Sequence, residues 1–319
     1  MIGPNRFEIS TKQKPSDARF PTKQVMYTRF KDIVTLTRFF LSVAVALTSL
    51  VGSAIAGSAI GGGSTTLRAL CAFGGVLFLA CAASAINQLL EKSIDAKMER
   101  TRNRPLPSGR ISSGQAIITA LLTGATGFLL LFFGTNPIAF GLGSFNLVWY
   151  NFIYTPLKTR TRFSLFIGAV TGALPPLIGF VAAGGSISDP KIISIILFMF
   201  VWQILHFLLL LLKYGDQYAS AGFPVILNHL KRSKNRIVVT FTASVLSLST
   251  ILFPLCGLVS GFIRIALLIA SACIFPFILH YCLSPDRYDY RLTVAIRSAY
   301  AFQAIVFGIL IAQALSWPI

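Results

Sequence analysis

Residues 71–105 read CAFGGVLFLACAASAINQLLEKSIDAKMERTRNRP, and this stretch decides the architecture of the chain. Its first half is an apolar run rich in Ala and Gly, a composition that lets helices pack closely in lipid. From Asn87 to Pro105 it carries five basic side chains and three carboxylates. Because each residue of an α-helix turns by about 100°, Asn87, Glu91 and Asp95 point to one side. The stretch therefore predicts a membrane helix that ends in an oxygen-rich face.

The chemistry of this face suits a phosphorylated ligand. Carboxylate and amide oxygens bind hard divalent cations such as Mg²⁺, and the guanidinium groups of Arg100, Arg102 and Arg104 match phosphate oxygens. A diphosphate ester needs both kinds of partner. The alternative is that these charges are only topology signals at the end of a membrane helix. The stretch alone leaves both interpretations open.

Composition sets the class of protein. Hydrophobic residues make up 55% of the chain, charged residues 12%, and the mean hydropathy is +0.73, which leaves too little polar surface to cover a soluble globule. We expect an all-α polytopic membrane protein, with residues 1–35 as a loosely ordered cytoplasmic tail and 36–319 as a single transmembrane domain. Nine apolar runs are long enough to span a bilayer: 39–59, 69–90, 114–133, 136–155, 163–184, 192–212, 237–258, 263–282 and 296–316.

The basic residues predict the orientation of these spans. Of the 28 Lys and Arg residues, 25 fall in the N-terminal segment and the loops after even-numbered spans, and three fall on the opposite side. The positive-inside rule therefore places the N-terminus in the cytoplasm or its topological equivalent. The net charge of +18 does not indicate nucleic acid, because the basic residues flank membrane spans. Anionic lipid headgroups and a diphosphate are the better partners.

Polar residues elsewhere add candidates for a site. Arg38, at the start of the first span, can snorkel to the headgroups or reach an anion in the bundle, and we favour snorkelling. Pro175 and Pro176 break the backbone hydrogen bonding of the fifth span, which indicates either a pocket wall or a structural kink. The other candidates lie at or just after the end of the fourth span, and within or just after the sixth: Tyr154, Lys158 and Arg160, then Trp202, Gln203, His206 and Asp216.

With these motifs assembled, the chain resembles the UbiA-type intramembrane prenyltransferases, and within them the protoheme IX farnesyltransferases. The resemblance covers roughly residues 36 to 230. Four groups of residues carry it: Asn87, Glu91 and Asp95 with Arg100, Thr101, Arg104, Pro105 and Leu106; Tyr154, Thr155, Leu157, Lys158 and Thr161; Gly172, Ala173, Pro175, Pro176 and Gly179; and Trp202, Gln203, His206 and Phe207 with Asp216, Tyr218, Ala221 and Gly222.

The resemblance implies a nine-helix bundle that transfers a farnesyl group from farnesyl diphosphate to the vinyl group of haem B, giving haem O. It implies Mg²⁺ held by Asn87, Glu91, Asp95 and Asp216, and a diphosphate bound by Arg100, Arg104, Tyr154, Lys158 and Arg160. It further implies an acceptor pocket at Trp202, Gln203 and His206. Haem A synthase or the assembly of a terminal oxidase are implied partners, in a bacterial inner membrane or alternatively the mitochondrial inner membrane.

Departures from the family pattern keep other functions open. One expected arginine of the first span is missing, because Arg38 is followed by Phe39 and Phe40. Gln217 stands directly after Asp216, where the family has a tyrosine, so the second acidic motif is incomplete. One alternative is a related enzyme that prenylates a quinone or chlorin precursor. Another is a transporter, which is expected to carry ionisable groups near the bilayer midplane, where His206 is the only candidate in the sequence.

Overall fold

The computed structural model describes residues 23–60, 63–222, 224, 232–283 and 288–316, and within these ranges every regular element is helical. The all-α prediction is therefore confirmed. In chain order the elements are α1 (Lys23–Leu36), α2 (Phe39–Ile60), α3 (Gly63–Leu90), α4 (Lys92–Asp95), α5 (Ser113–Gly134), α6 (Pro137–Val148), a π-helix (Trp149–Tyr154), α7 (Thr155–Leu157), α8 (Ser164–Ala182), α9 (Pro190–Ser220), α10 (Arg232–Ser249), α11 (Leu252–Leu255), α12 (Gly261–Leu283) and α13 (Tyr288–Ser316).

Seven of the described helical segments are long and apolar enough to cross a membrane. The two other predicted spans also correspond to helices. The run 136–155 becomes α6 followed by the π-helix, and the run 263–282 lies within α12, whose described apolar part, Gly261–Cys273, is shorter than a full span. The chain is thus a polytopic membrane protein whose helices are compatible with nine spans. Of the predicted tail, residues 1–22 lie outside the described part, and α1 forms from Lys23 onward.

Local sequence signals start the helices around the bundle. Ser112 and Gln115 form a reciprocal capping box at the start of α5, where the sequence predicted that the chain re-enters the membrane. The Asn136 side chain caps α6, which opens with Pro137. Such caps satisfy backbone N–H groups that have no partner within the helix.

Helices α2 and α8 pack closely in the bundle core, and this contact depends on glycine. A Cβ atom on Gly52 would lie 1.9 Å from the carbonyl oxygen of Pro176, and one on Gly179 would lie 1.8 Å from that of Ser49. Between them, the Ser53 hydroxyl donates a hydrogen bond of 2.9 Å to the carbonyl of Gly179. Pro175 is buried in the same region of α8. The proline pair thus lies at a helix interface, which supports the structural interpretation over that of a pocket wall.

Candidate active site

A cavity of about 670 Å³ lies inside the bundle. Residues of α2, α3, α4, α6, α8, α9 and α13 form its wall, together with the π-helix and the segment after α4. One end is charged, with Arg38, Glu91, Asp95, Arg100, Arg104 and Lys158 in its wall. The other end carries apolar, aromatic and neutral polar side chains, among them Met199, Trp202, Gln203, His206, Tyr300 and Gln303.

The predicted oxygen-rich face forms at the charged end. Asn87 is fully buried, and Glu91 and Asp95 are 5% and 3% exposed. Helix α3 ends at Leu90, yet the amide of Glu91 still donates to the carbonyl of Asn87 and the amide of Asp95 to that of Glu91, at 2.9 and 2.8 Å. These bonds keep the helical spacing, so the three side chains stay on one side of the chain.

Each of the two carboxylates is paired with a cation. Arg104 Nη1 lies 2.6 Å from Asp95 Oδ2, and Lys158 Nζ lies 2.6 Å from Glu91 Oε1. Burial and the nearby Arg38 cation lower the pKa of the Arg104 guanidinium, whereas Asp95 opposes this shift. The site therefore holds two buried acids and their cations at one wall of the cavity.

Arg38 belongs to this end of the cavity, contrary to our preference for snorkelling. Its Nη2 lies 3.5 Å from Asn87 Oδ1, and Asn87 Nδ2 donates to Thr155 Oγ1 at 3.1 Å. The backbone of Arg38 has a φ of 47°, in the left-handed region that non-glycine residues seldom adopt. Strained conformations of this kind concentrate at functional sites. The bend between α1 and α2 turns the guanidinium inward.

The remaining predicted diphosphate ligands divide into two groups. Tyr154 and Arg100 line the cavity, and Arg100 Nη2 donates to the Tyr218 hydroxyl at 3.0 Å while its guanidinium lies over the ring of Tyr214 at 5.1 Å. Arg160 is exposed and does not line the cavity. Sequence reasoning did not identify Tyr214 as a partner of Arg100.

Two predicted metal ligands are absent from the cavity wall. One is Asn87, which is buried and contacts Arg38 and Thr155. The other is Asp216. It is exposed on α9 and absent from the cavity wall. Tyr214 and Tyr218 are four residues apart and both face Arg100. Asp216 is two residues from each of them, which places it about 200° around the helix, on the side opposite to the two tyrosines. Asp216 therefore points away from Glu91 and Asp95.

The predicted acceptor residues line the neutral end. Trp202, Gln203 and His206 all contribute to the cavity wall. Trp202 Nε1 donates to the carbonyl of Ala299 at 2.9 Å, and the indole stacks on the imidazole of His206 with centroids 5.3 Å apart. His206 Nε2 lies 3.2 Å from the Tyr300 hydroxyl. The sequence did not single out Tyr300, because it lies in a last span that carried no specific motif.

The residues of the charged end fit a hard divalent cation. Asn87, Glu91 and Asp95 offer oxygen donors only, which suit Mg²⁺. In the part of the chain that the structure describes, no group of three or more His, Cys, Asp or Glu side chains could hold a metal ion. Asn87, Glu91 and Asp95 would together supply one amide and two carboxylates to such an ion.

Comparison with known proteins agrees with this geometry. The sequence pattern of the UbiA prenyltransferase family matches residues 57–298. Protoheme IX farnesyltransferase of Geobacter sulfurreducens is 40% identical over 208 residues, covering 65% of this chain and 77% of that protein. The enzyme of the same name from Cytophaga hutchinsonii is 35% identical over 246 residues, 76% of this chain and 84% of its own. The mitochondrial one from Arabidopsis thaliana is 41% identical over 192 residues, 60% of this chain and 44% of its own.

Solved structures show the same fold at low sequence identity. A structure described as digeranylgeranylglyceryl phosphate synthase has a TM-score of 0.71 and 18% identity, covering 90% of this chain and 99% of its own. A UbiA homologue from Archaeoglobus fulgidus, bound to GPP and Mg²⁺, has a TM-score of 0.62 and 15% identity, covering 88% and 99%. With the family pattern matched over most of its length, the chain belongs to the UbiA prenyltransferase family.

Proposed function

We propose that this protein transfers the farnesyl group of farnesyl diphosphate to the vinyl group of haem B and so makes haem O. The observation that carries the proposal is the two-ended cavity: cations and paired acids line one end, aromatic and neutral polar groups the other. An anionic diphosphate suits the first end, and a flat, apolar acceptor suits the second. The relatives named above act on protohaem, which favours haem B as the acceptor.

The charged end accounts for departure of the diphosphate. The guanidinium groups of Arg38, Arg100 and Arg104 and the ammonium of Lys158 can donate charge-assisted hydrogen bonds to its oxygens. Mg²⁺ held by Asn87, Glu91 and Asp95 would supply further positive charge against the leaving group.

The carbon–oxygen bond breaks with its electron pair going to the diphosphate, and the allylic cation remains in the cavity. Tyr154 and Phe207 both line the cavity, and their rings stack with centroids 6.2 Å apart. Aromatic rings of this kind stabilise a nearby cation through their π electrons. The vinyl group of haem B then attacks this cation. Burial inside the bundle keeps bulk water from quenching the farnesyl cation before that attack.

The setting of the reaction follows from the charge pattern. The bias of 25 basic residues to three supports a cytoplasmic position, or its topological equivalent, for the charged end of the cavity. We place the protein in a bacterial inner membrane, with the mitochondrial inner membrane as the alternative, since relatives of both kinds occur. Haem A synthase or an assembling terminal oxidase is the proposed recipient of the product.

Purified protein in lipid vesicles tests this function directly. Farnesyl diphosphate and Mg²⁺ are supplied with one acceptor at a time: haem B, a quinone precursor or a chlorin precursor. We expect a farnesylated, hydroxylated product from haem B alone. Preferential prenylation of a quinone or chlorin precursor would keep the family assignment and replace the acceptor. Release of all farnesol as a hydrolysis product, with no prenylated acceptor, would contradict the proposed transfer.

A further inference from the structure

A buried imidazole and a phenol form a pair in the wall at the neutral end of the cavity. His206 is 8% exposed, and its Nε2 lies 3.2 Å from the hydroxyl of Tyr300 on α13. Its Nδ1 has no hydrogen-bond partner among the described residues. Trp202 stacks parallel to the imidazole, with an angle of 4° between the rings, and so fixes its orientation. A polar group held this firmly within a membrane bundle is costly and generally serves a function.

A series of ring contacts connects the pair to the charged end of the cavity. The His206 and Phe207 rings are 5.9 Å apart, and Phe207 stacks on Tyr154 at 6.2 Å. Lys158 Nζ lies 5.8 Å from the Tyr154 ring and 2.6 Å from Glu91. An acceptor held against these rings would therefore have the charged end on one side and the imidazole–phenol pair on the other.

The proposed function creates a need for a proton acceptor, and the inference rests on that function. Attack by the haem vinyl group joins its outer carbon to the farnesyl group and leaves a cation on its inner carbon. Water adds to this carbon through an oxygen lone pair, which forms the new carbon–oxygen bond. One proton must then leave the added water, or the addition reverses. The reaction therefore needs a base beside the haem vinyl group, away from the diphosphate.

We propose that the His206–Tyr300 pair removes this proton. Tyr300 donates its hydroxyl proton to His206 Nε2 as its oxygen takes the proton of the adding water, so a neutral product, an imidazolium and an intact phenol result. This direction requires an imidazole with its own hydrogen on Nδ1. The two carboxylates of the wall could also accept a proton, but each is paired with a cation: Glu91 with Lys158 and Asp95 with Arg104. Among the described residues that line the cavity, His206 is the one histidine.

The test measures how the cation on the inner vinyl carbon of haem is quenched: by addition of water or by loss of a proton. Without the pair, the cation loses a proton from a neighbouring carbon to the departed diphosphate, and the product is an alkene lighter by one water. Tyr300→Phe and His206→Asn are assayed with farnesyl diphosphate, Mg²⁺ and haem B, and both products are separated by mass. The matched control is Tyr290→Phe, because Tyr290 lies on the same helix as Tyr300, α13, and is 66% exposed. All yields are expressed per amount of inserted protein.

We expect the ratio of hydroxylated product to alkene to fall by about 10²-fold in both variants, the lower end for loss of a positioned base. Tyr290→Phe should keep the wild-type ratio. An unchanged ratio in either variant, with total farnesylated haem reduced or not, overturns the proposal, because a purely structural loss lowers both products together.

Wild-type protein provides a second measurement if a variant fails to insert. In D₂O the proton transfer from water slows while the loss of a carbon-bound proton does not, so the same ratio should fall. An equal ratio in H₂O and D₂O contradicts the proposed role of the pair. Wild-type protein that makes no farnesylated haem at all would instead remove the proposed function itself.

Discussion

Replacing Asp95 by Asn tests the charged end of the cavity most sharply. Asp95 is 3% exposed, and its Oδ2 lies 2.6 Å from Arg104 Nη1. The substitution keeps the shape and removes the charge. Transfer should fall by about 10²- to 10³-fold, the usual cost of removing one preorganised electrostatic partner. Glu99→Gln, exposed and outside the oxygen-rich face, is the control and should retain wild-type turnover.

The same substitution also affects stability, because it leaves Arg104 without its counterion. Breaking a buried ion pair costs about 3–5 kcal/mol, and we expect roughly 3 kcal/mol since the Arg104 side chain remains 18% exposed. Two effects must therefore be separated. The double variant Asp95→Asn with Arg104→Gln removes both charges, and it should recover much of the lost stability without recovering turnover.

The assay is prenylated haem per unit of inserted protein, with thermal unfolding in detergent measured in parallel. Recovery of turnover in the double variant would refute the reasoning, because it would mean that Asp95 acts only by neutralising Arg104. Equal turnover in Asp95→Asn and Glu99→Gln would refute it as well.

Three further predictions follow from the placement of other residues. EDTA should abolish turnover and Mg²⁺ restore it, whereas full turnover in metal-free buffer contradicts the oxygen-ligand site. Asp216→Asn should leave turnover close to wild type, because Asp216 is exposed and does not line the cavity, while Glu91→Gln should nearly abolish it. The reverse order in the transfer assay would return Asp216 to the site. Gly52→Ala should lower the free energy of unfolding by about 1–3 kcal/mol, because its Cβ overlaps the Pro176 carbonyl. Its control Gly308→Ala, with no atom within 4 Å of the added Cβ, should unfold like wild type in the same thermal measurement.

Hydropathy predicted the fold because each membrane span must be a long apolar helix. It did not predict how the fourth run is built, since the change from α6 to the π-helix at Trp149–Tyr154 is a matter of backbone hydrogen bonding. This segment carries Tyr150 and Tyr154, whose ring centroids are 5.6 Å apart and which both line the cavity. Short π-helical segments recur at functional sites, but they cannot be predicted from the apolar composition of a span.

The candidate site was predictable where it depends on one helix and less so where it depends on several. Asn87, Glu91 and Asp95 follow helical periodicity, so their common face could be read from the sequence. Whether Asp216 faces them depends on the rotation of α9 against α3, which periodicity within α9 does not fix. The inward turn of Arg38 depends on a left-handed backbone conformation that the local sequence does not predict.

The most direct test of the account is the pigment made by living cells. A host that contains haem B but has lost its own capacity to make haem O is given the wild-type chain or the Asp95→Asn variant, matched for inserted protein. Mass analysis of extracted pigments should reveal haem O with the wild-type chain and reduce it by at least about 10²-fold with the variant. Haem O at the same level from both proteins, or from neither, would contradict the account.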